Sequence, residues 1–469
     1  MSLVGIPRAP PTFLLGNFPD LVPSNPWPSF KKLQEKNGEI FYIKVPFKPP
    51  VVFVASAALL GELCDEKRFR KQVTKPILEI RGAVHVALFT AGYEGCEQMD
   101  WGIAHRIIRP QLTPQVIAES FGDFLSTADD LFDIWRKKGP GAEIFPITEL
   151  DRLNLEATTL ALFGKRLDCL ERSHEMLGAM ATGTGEATQR PNRPLPFQNW
   201  WTKGDWKKSI QVMRKYAQDL VDYRRSNPTD RKDLLDAMMN GTDPKSGAKL
   251  DDEQVVDEIV SMPIGSSTAP CVIAAAIYFL LRNKEAVAKA REEIDAVVGD
   301  DELAYEHVAQ LKYVEGIIRE ALRLSFAAPG FNIEPIHEKD QDTGPVQLAG
   351  GKYQIPYNQG MIVLLAGANR DPAVFDKPNE FRPERMVGEK YEQLPLGARR
   401  YYGNGKRVCV GKDYAWLWKM VVMTKLIKEF DFEAVDKNYE LEQEGWFNMR
   451  PKNFRAKIKP RTGTKGYPV

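Results

Sequence analysis

The sequence predicts one large, mostly α-helical domain with a small β region. Helical spacing of apolar residues dominates after residue 97, while β-branched and aromatic runs are short and confined to residues 38–56 and 331–365. No internal repeat, low-complexity tract or linker divides the 469 residues. Hydrophobic residues make up 43% and charged residues 27%, which excludes a disordered chain and an integral membrane bundle.

The N-terminal arm carries Pro7, Pro10 and Pro11 and reads as extended and stiff; it lacks the basic patch and apolar run of a signal peptide. Residues 38–56, with a Pro-rich turn between two apolar runs, read as a hairpin. Residues 97–170 are mostly helical. Residues 183–196, rich in Gly, Thr and Pro, read as a loop, and helical spacing returns over 207–225. A long helix opens at Leu250-Asp-Asp-Glu, with acids in the first turn where the helix dipole favours them, and runs to about residue 283. Pro263, Gly265 and Pro270 interrupt it. A proline in a helix interior costs roughly 3 kcal/mol, so the interruption points to a helix that lines a site; two helices joined by a turn is the plainer alternative. Helices follow over 284–298 and 314–324, then short strands between 331 and 365, then a last helix over 411–430.

The most apolar run, residues 272–281, is ten residues long against the roughly 20 of a membrane span, so a buried core helix and a soluble, cytoplasmic protein are expected. Sixty-four basic residues against 63 acidic give a net charge of +1, which offers no general attraction to nucleic acid or to an acidic membrane. Five scattered cysteines do not form a disulfide framework; a reducing compartment is implied, and one cysteine is free for chemistry.

That cysteine is Cys409, in Tyr402-Gly-Asn-Gly-Lys-Arg-Val-Cys-Val-Gly411. Gly403, Gly405 and Gly411 let the backbone turn tightly and approach a flat ligand. Arg407 and the start of the following helix are both expected to favour thiolate over thiol. A lone thiolate suits a nucleophile or a metal ligand. No second cysteine or histidine lies nearby to complete a zinc site, and one thiolate among glycines suits an axial ligand to haem iron.

The segment resembles the haem-binding loop of the cytochrome P450 family, Phe-x-x-Gly-x-Arg-x-Cys-x-Gly. Upstream, Glu320-Ala-Leu-Arg323 resembles the family's Glu-x-x-Arg, and Phe381-Arg-Pro-Glu-Arg385 its Pro-Glu-Arg element, whose Arg385 would join Glu320 and Arg323 in a buried ion network. Over nearly the whole chain the sequence is similar to the haem domain of the self-sufficient fatty-acid hydroxylases, which are normally fused to a flavin reductase. The resemblance implies a cytochrome P450 fold over residues 1–469, with haem b (iron protoporphyrin IX) ligated by Cys409. It implies that Trp101, His105 and Arg407 anchor the propionates and that the ring of Tyr402 lies on the sulfur side. Phe89, Ala269, Ala328 and residues 184–201 would enclose a small apolar or lipid-like substrate. No reductase segment being evident in the 469 residues, electrons are expected from a separate NADPH-dependent reductase.

Three departures qualify that picture. The family's oxygen-side helix reads (Ala/Gly)-Gly-x-(Asp/Glu)-Thr-Thr; here Ile264-Gly-Ser-Ser-Thr-Ala269 keeps the alcohol of Thr268 but replaces the acid by Ser267. Splitting dioxygen requires protons, and a carboxylate relays them by changing charge, whereas a serine only passes them along hydrogen bonds. Ser267 and Thr268 with ordered water are then the expected catalytic pair of a monooxygenase. The alternative is a peroxide-using enzyme, or one that rearranges, couples or dehydrates without inserting oxygen; a haem sensor without turnover is a further class. Tyr402 stands where Phe is usual, a change expected to alter the iron only modestly. Lys48 lies where close relatives place an Arg for a fatty-acid carboxylate; it could pair with an anion, or be a solvated charge on the hairpin.

Overall fold

The computed structural model describes residues 3–46, 48–93, 95–193, 195, 197–336 and 344–461. The helices of ten residues or more are α1 Pro26–Asn37, α2 Lys75–Val84, α3 Cys96–Ile108, α4 Phe121–Lys138, α5 Pro146–Phe163, α6 Glu175–Gln189, α7 Lys203–Ser226, α8 Asp252–Ser266, α9 Thr268–Leu281, α10 Lys284–Val297, α11 Lys312–Ser325 and α12 Lys412–Glu429.

The expected interrupted helix is the pair α8 and α9. Asp251 starts it with a reciprocal cap: its side chain accepts from Gln254 N at 2.8 Å while Asp251 N donates to Gln254 Oε1 at 3.0 Å. Pro263 has no N–H to give to the preceding turn, the helix ends at Ser266, and Ser267 caps both halves. Pro270 falls in the first turn of α9, where the missing donor is harmless. Every residue from Ala269 to Tyr278 is buried, among them Ala274, Ala275 and Ala276, which let neighbouring helices approach. α9 packs against α5, α11 and α12. Residues 252–281 form the one stretch among the described residues that is long and apolar enough to cross a membrane, and 67% of its most apolar window is buried inside the fold.

The β region is a five-stranded sheet of β1 Ile40–Ile43, β2 Val51–Val54, β3 Phe69–Lys71, β4 Gly330–Pro335 and β5 Met361–Leu364, in the order β1-β2-β5-β4-β3. β1 and β2 are the expected hairpin, with Phe41 opposite Phe53 and their rings stacked at 5.1 Å. β2 and β5 are parallel and the remaining pairs antiparallel. The sheet carries Lys71 on β3, and Ala328 enters just before β4.

Residues 183–189 are not the expected loop but the second half of α6. Gly183 is the contact point with α7: a Cβ there would come within 2.6 Å of the Met213 methyl. The glycine that weakens the helix locally lets two helices touch, and that packing outweighs its propensity. The chain leaves helical form only after the short turn Arg190–Asn192; Pro194 and Pro196 of the expected loop lie outside the described residues.

Glu320 and Arg323, three apart on α11, are both fully buried. Arg323 donates twice to Glu320, at 2.7 and 2.8 Å, and also to the carbonyls of Asn369, Pro378 and Glu380. Arg382 N donates to Glu320 at 2.9 Å, and Arg385 lies 3.4 Å from the same carboxylate oxygen. Removing one member of such a network typically costs about 3–5 kcal/mol, because the partner is left charged and buried.

Candidate active site

The Cys409 loop is shaped by its glycines. Gly403 and Gly405 have φ of +79° and +62°, and a Cβ on Gly405 would strike the Glu66 carboxyl at 2.1 Å. Cys409 N donates to Tyr402 O at 2.9 Å and Asn404 donates to Cys64 O at 2.8 Å, so the loop is closed on itself and tied to its surroundings. Cys409 is exposed toward a large interior cavity and precedes the N-terminus of α12 by three residues.

The expectation that Arg407 acts on this sulfur is corrected. Its guanidinium turns to the segment before α3 and to its first turn, donating to Ala91 O (2.9 Å), Gly92 O (2.8 Å) and Gln98 Oε1 (3.1 Å). Burial raises the thiol pKa of Cys409 above its usual value, and the groups that favour its thiolate are the backbone N–H of Gly411 and the Lys419 and Lys412 ammonium groups.

Arg407 builds a second feature. Its guanidinium carbon stands 4.0 Å from the centroid of Trp101 and 4.4 Å from that of Tyr93. Trp101 and His105, four apart on α3, stack at 4.6 Å. Arg407 Nε is buried without a partner. The pKa of His105 is lowered by burial and then by Arg109, Arg407 and Arg106. Lys71 joins the group from β3, its pKa drawn down to about 7 by desolvation and by Arg407. The Arg407 guanidinium with its unpartnered Nε, beside the titratable Lys71 and His105, suits an anion.

The cavity encloses about 2500 Å³ and runs from this wall past Cys409 to α8 and α9. Gly265, Gly403 and Gly411 all border it, and a Cβ added to any of them would meet nothing within 4 Å. A sulfur facing a slot flanked by open glycines, with unsatisfied donors at one edge, fits haem: sulfur for the metal, slot for the flat ring, donors for the carboxylates.

Opposite Cys409, Gly265, Ser266, Thr268 and Ala269 border the cavity, and Ser267 is not among the bordering residues. The Ser267 hydroxyl donates to Ile264 O at 2.7 Å, and Asn448 Nδ2 donates to both Ser267 O (2.9 Å) and Ser267 Oγ (3.0 Å). The hydroxyl beside the cavity is that of Ser266, which accepts from Asn154 at 2.8 Å and from Thr158 at 3.2 Å; Thr158 in turn accepts from Tyr414 OH at 3.0 Å. Thr268 Oγ1 makes only a long bond of 3.4 Å to Gly265 O. Ser266 escaped the sequence reading. The available signal was a polar pair, Asn154 and Thr158, four apart on the buried face of α5.

Phe89, Ala269 and Ala328 border the cavity. Phe89 packs edge-on against Phe447 at 5.8 Å and lies under the Lys71 ammonium at 4.6 Å. Lys48 is not a solvated hairpin charge. Its Nζ donates to Pro191 O at 3.1 Å, bridging the β1–β2 connection to the turn after α6.

The family model described as Cytochrome P450 matches residues 7–458. The self-sufficient cytochrome P450 monooxygenase CYP505E3 of Phanerodontia chrysosporium is 34% identical over 464 residues, covering 98% of this chain and 43% of that protein. The bifunctional cytochrome P450/NADPH–P450 reductase ascE of Acremonium egyptiacum is 33% identical over 452 residues, covering 94% and 42%. A bifunctional cytochrome P450/NADPH–P450 reductase of Fusarium oxysporum is 33% identical over 461 residues, covering 96% and 42%. The chain thus spans less than half the length of these relatives. Their names overturn the expectation of a separate reductase, since these relatives unite P450 and reductase in one polypeptide. The motif order, the cavity with its open sulfur and the match across nearly the whole sequence lead to one conclusion: this chain belongs to the cytochrome P450 family.

Proposed function

We propose that the chain holds haem b through Cys409 and oxidises a small apolar or lipid-like substrate bound against Phe89, Ala269 and Ala328. The observation that carries this reading is the Cys409 sulfur, open to the cavity at the start of α12 and facing α8 and α9 across it. Bound haem supplies a thiolate-ligated iron, at which electron donation by sulfur favours O–O cleavage. Trp101, His105, Arg407 and Lys71 would hold its carboxylates. The apolar wall desolvates the substrate and keeps bulk water from the reacting atoms. On the far side, Thr268 Oγ1 is free enough to orient a proton, while the Ser266 hydroxyl accepts from Asn154 and Thr158 and donates to Pro263 O at 3.2 Å. Ser267 is assigned to the helix break, its hydroxyl being engaged by Ile264 and Asn448. A cytoplasmic site of action, suggested by five free cysteines, is part of the same proposal.

One observation favours a second reading. Position 267 carries no acid and its hydroxyl is turned to Asn448, so a charge-cycling proton donor is missing there. An oxidant already at the peroxide level, or a reaction without oxygen insertion, relieves that demand. The first test is the carbon monoxide difference spectrum of the reduced holoprotein. A thiolate-type band in the wild type and its loss in Cys409→Ala support haem-thiolate chemistry; a band that survives the substitution refutes it. Product formed with dioxygen, NADPH and a reductase system, compared with product formed on hydrogen peroxide, separates the two readings. Substrate binding without product under either oxidant marks a sensor.

A further inference from the structure

Phe89 stands in the cavity wall on a turn that carries its own bracing. The ring is 37% exposed and borders the cavity, as does Leu88 before it. Thr90 closes the turn: its hydroxyl donates to His85 O at 2.6 Å and accepts from Ala87 N at 2.9 Å, and its N–H donates to Ala87 O at 3.0 Å. A turn braced in this way moves as a unit, so the place of the Phe89 ring follows from what the turn is fastened to.

Two adjacent acids of α8 fasten it. The Asp257 carboxylate lies 3.0 Å from His85 Nδ1, and Arg214 joins the same carboxylate to Ala83 O. Glu258 holds the other end, where its Oε1 accepts from Leu88 N at 2.8 Å. Glu258 is 2% exposed, and Leu88 N is its one hydrogen-bond partner among the described residues, Oε2 having none. A buried carboxyl with a single bond is costly beside a leucine of similar bulk. What it gains in return is a hold on the backbone one residue before the ring. Beyond the ring, Lys71 donates to Phe89 O, so side chains from α8 and β3 bracket Phe89. A carboxyl accepts through Oε1 whether ionised or protonated, and this role does not depend on charge.

We infer that Glu258 is a positioning residue: through the Leu88 N–H it fixes the Phe89 ring and thereby sets how bulky a molecule the cavity accepts. The inference rests on reading this cavity as the haem and substrate site.

The test is an optical titration of the haem-loaded protein with phenylimidazole, a bulky probe, and N-hexylimidazole, a slim one, both of which coordinate haem iron through nitrogen. The quantity read is the ratio of the two dissociation constants, which a loss of stability or of haem content does not move. Glu258→Leu strands the Leu88 N–H and frees the turn. It is expected to shift the ratio about tenfold in favour of the phenyl probe, the scale of one lost buried hydrogen bond. Glu258→Gln retains an acceptor and is expected to keep the wild-type ratio. In a Phe89→Ala background Glu258→Leu is expected to add nothing, because the ring that it places is gone. A Glu258→Leu holoprotein with the wild-type ratio overturns the inference. So does a shift that persists in the Phe89→Ala background, or one equally large in Glu258→Gln. Should Glu258→Leu fail to take up haem, Glu258→Asp decides, its acceptor being drawn back by one methylene; an unshifted ratio there overturns the inference equally. A wild type without a thiolate-type carbon monoxide band, or whose spectrum neither imidazole moves, instead sinks the haem-thiolate reading, so the two failures are distinguishable.

Discussion

On α8, Glu258 is 2% exposed; one carboxyl oxygen accepts from Leu88 N at 2.8 Å and the other has no partner. On α12, Lys419 is as deeply buried and has one neutral partner, the Tyr402 hydroxyl. The two groups meet their burial with different neighbours. Around Glu258, the adjacent Asp257 is also acidic and engages His85 and Arg214 elsewhere, so desolvation and Asp257 raise the Glu258 pKa to about 8 and the acid stays protonated. Around Lys419, desolvation draws the pKa down to about 7, and the Cys409 sulfur opposes part of that fall. In both, burial is the largest cause and favours the neutral form, and the sign of the neighbour sets how far that shift goes.

Replacing Cys409 breaks this contrast most severely. Cys409→Ala is expected to abolish the thiolate-type carbon monoxide band and most haem retention, read by pyridine haemochrome content, and to remove the group that opposes the fall of the Lys419 pKa. Next is the pH response of Glu258. Its folded-state pKa lies above the unfolded value, so the folded protein holds a proton that the unfolded chain releases. Stability is therefore greatest below about 4.5 and is lost as pH rises to about 8, by at most about 5 kcal/mol. Glu258→Gln is expected to flatten that part of the pH profile in urea unfolding; an unchanged slope means the acid is already ionised.

The oxygen side offers two smaller tests. Ser267→Asp restores a charge-cycling acid beside Asn448. It is expected to raise dioxygen-driven turnover by up to about 100-fold and to leave peroxide-driven turnover unchanged, measured as product per haem. No change under dioxygen would show that proton supply does not pass through position 267. Ser266→Ala strips the acceptor from Asn154 and Thr158 and is expected to cost about 1–3 kcal/mol in thermal or denaturant unfolding.

The sequence-legible parts are those whose cause is local. The helix interruption follows from Pro263, the hairpin from alternating β-branched and aromatic residues, and the Cys409 loop from its glycines, so each stands close to its expected boundaries. What escaped depends on partners far along the chain. Whether 183–189 coils or forms a helix is settled by Met213 on α7. Whether Ser266 or Ser267 meets the cavity is settled by Asn448, 181 residues away. The aim of Arg407 is settled by the carbonyls of Ala91 and Gly92. Charge near a motif in sequence is a poor guide to charge near it in space: the arginine two residues from the sulfur faces elsewhere.

The bond from Lys48 to Pro191 O makes one border of the cavity conditional. Parting the β1–β2 connection from the Arg190–Asn192 turn would strand that amine. A molecule with an anionic end offers the amine a stronger acceptor than the carbonyl it loses, while a purely hydrocarbon guest offers none.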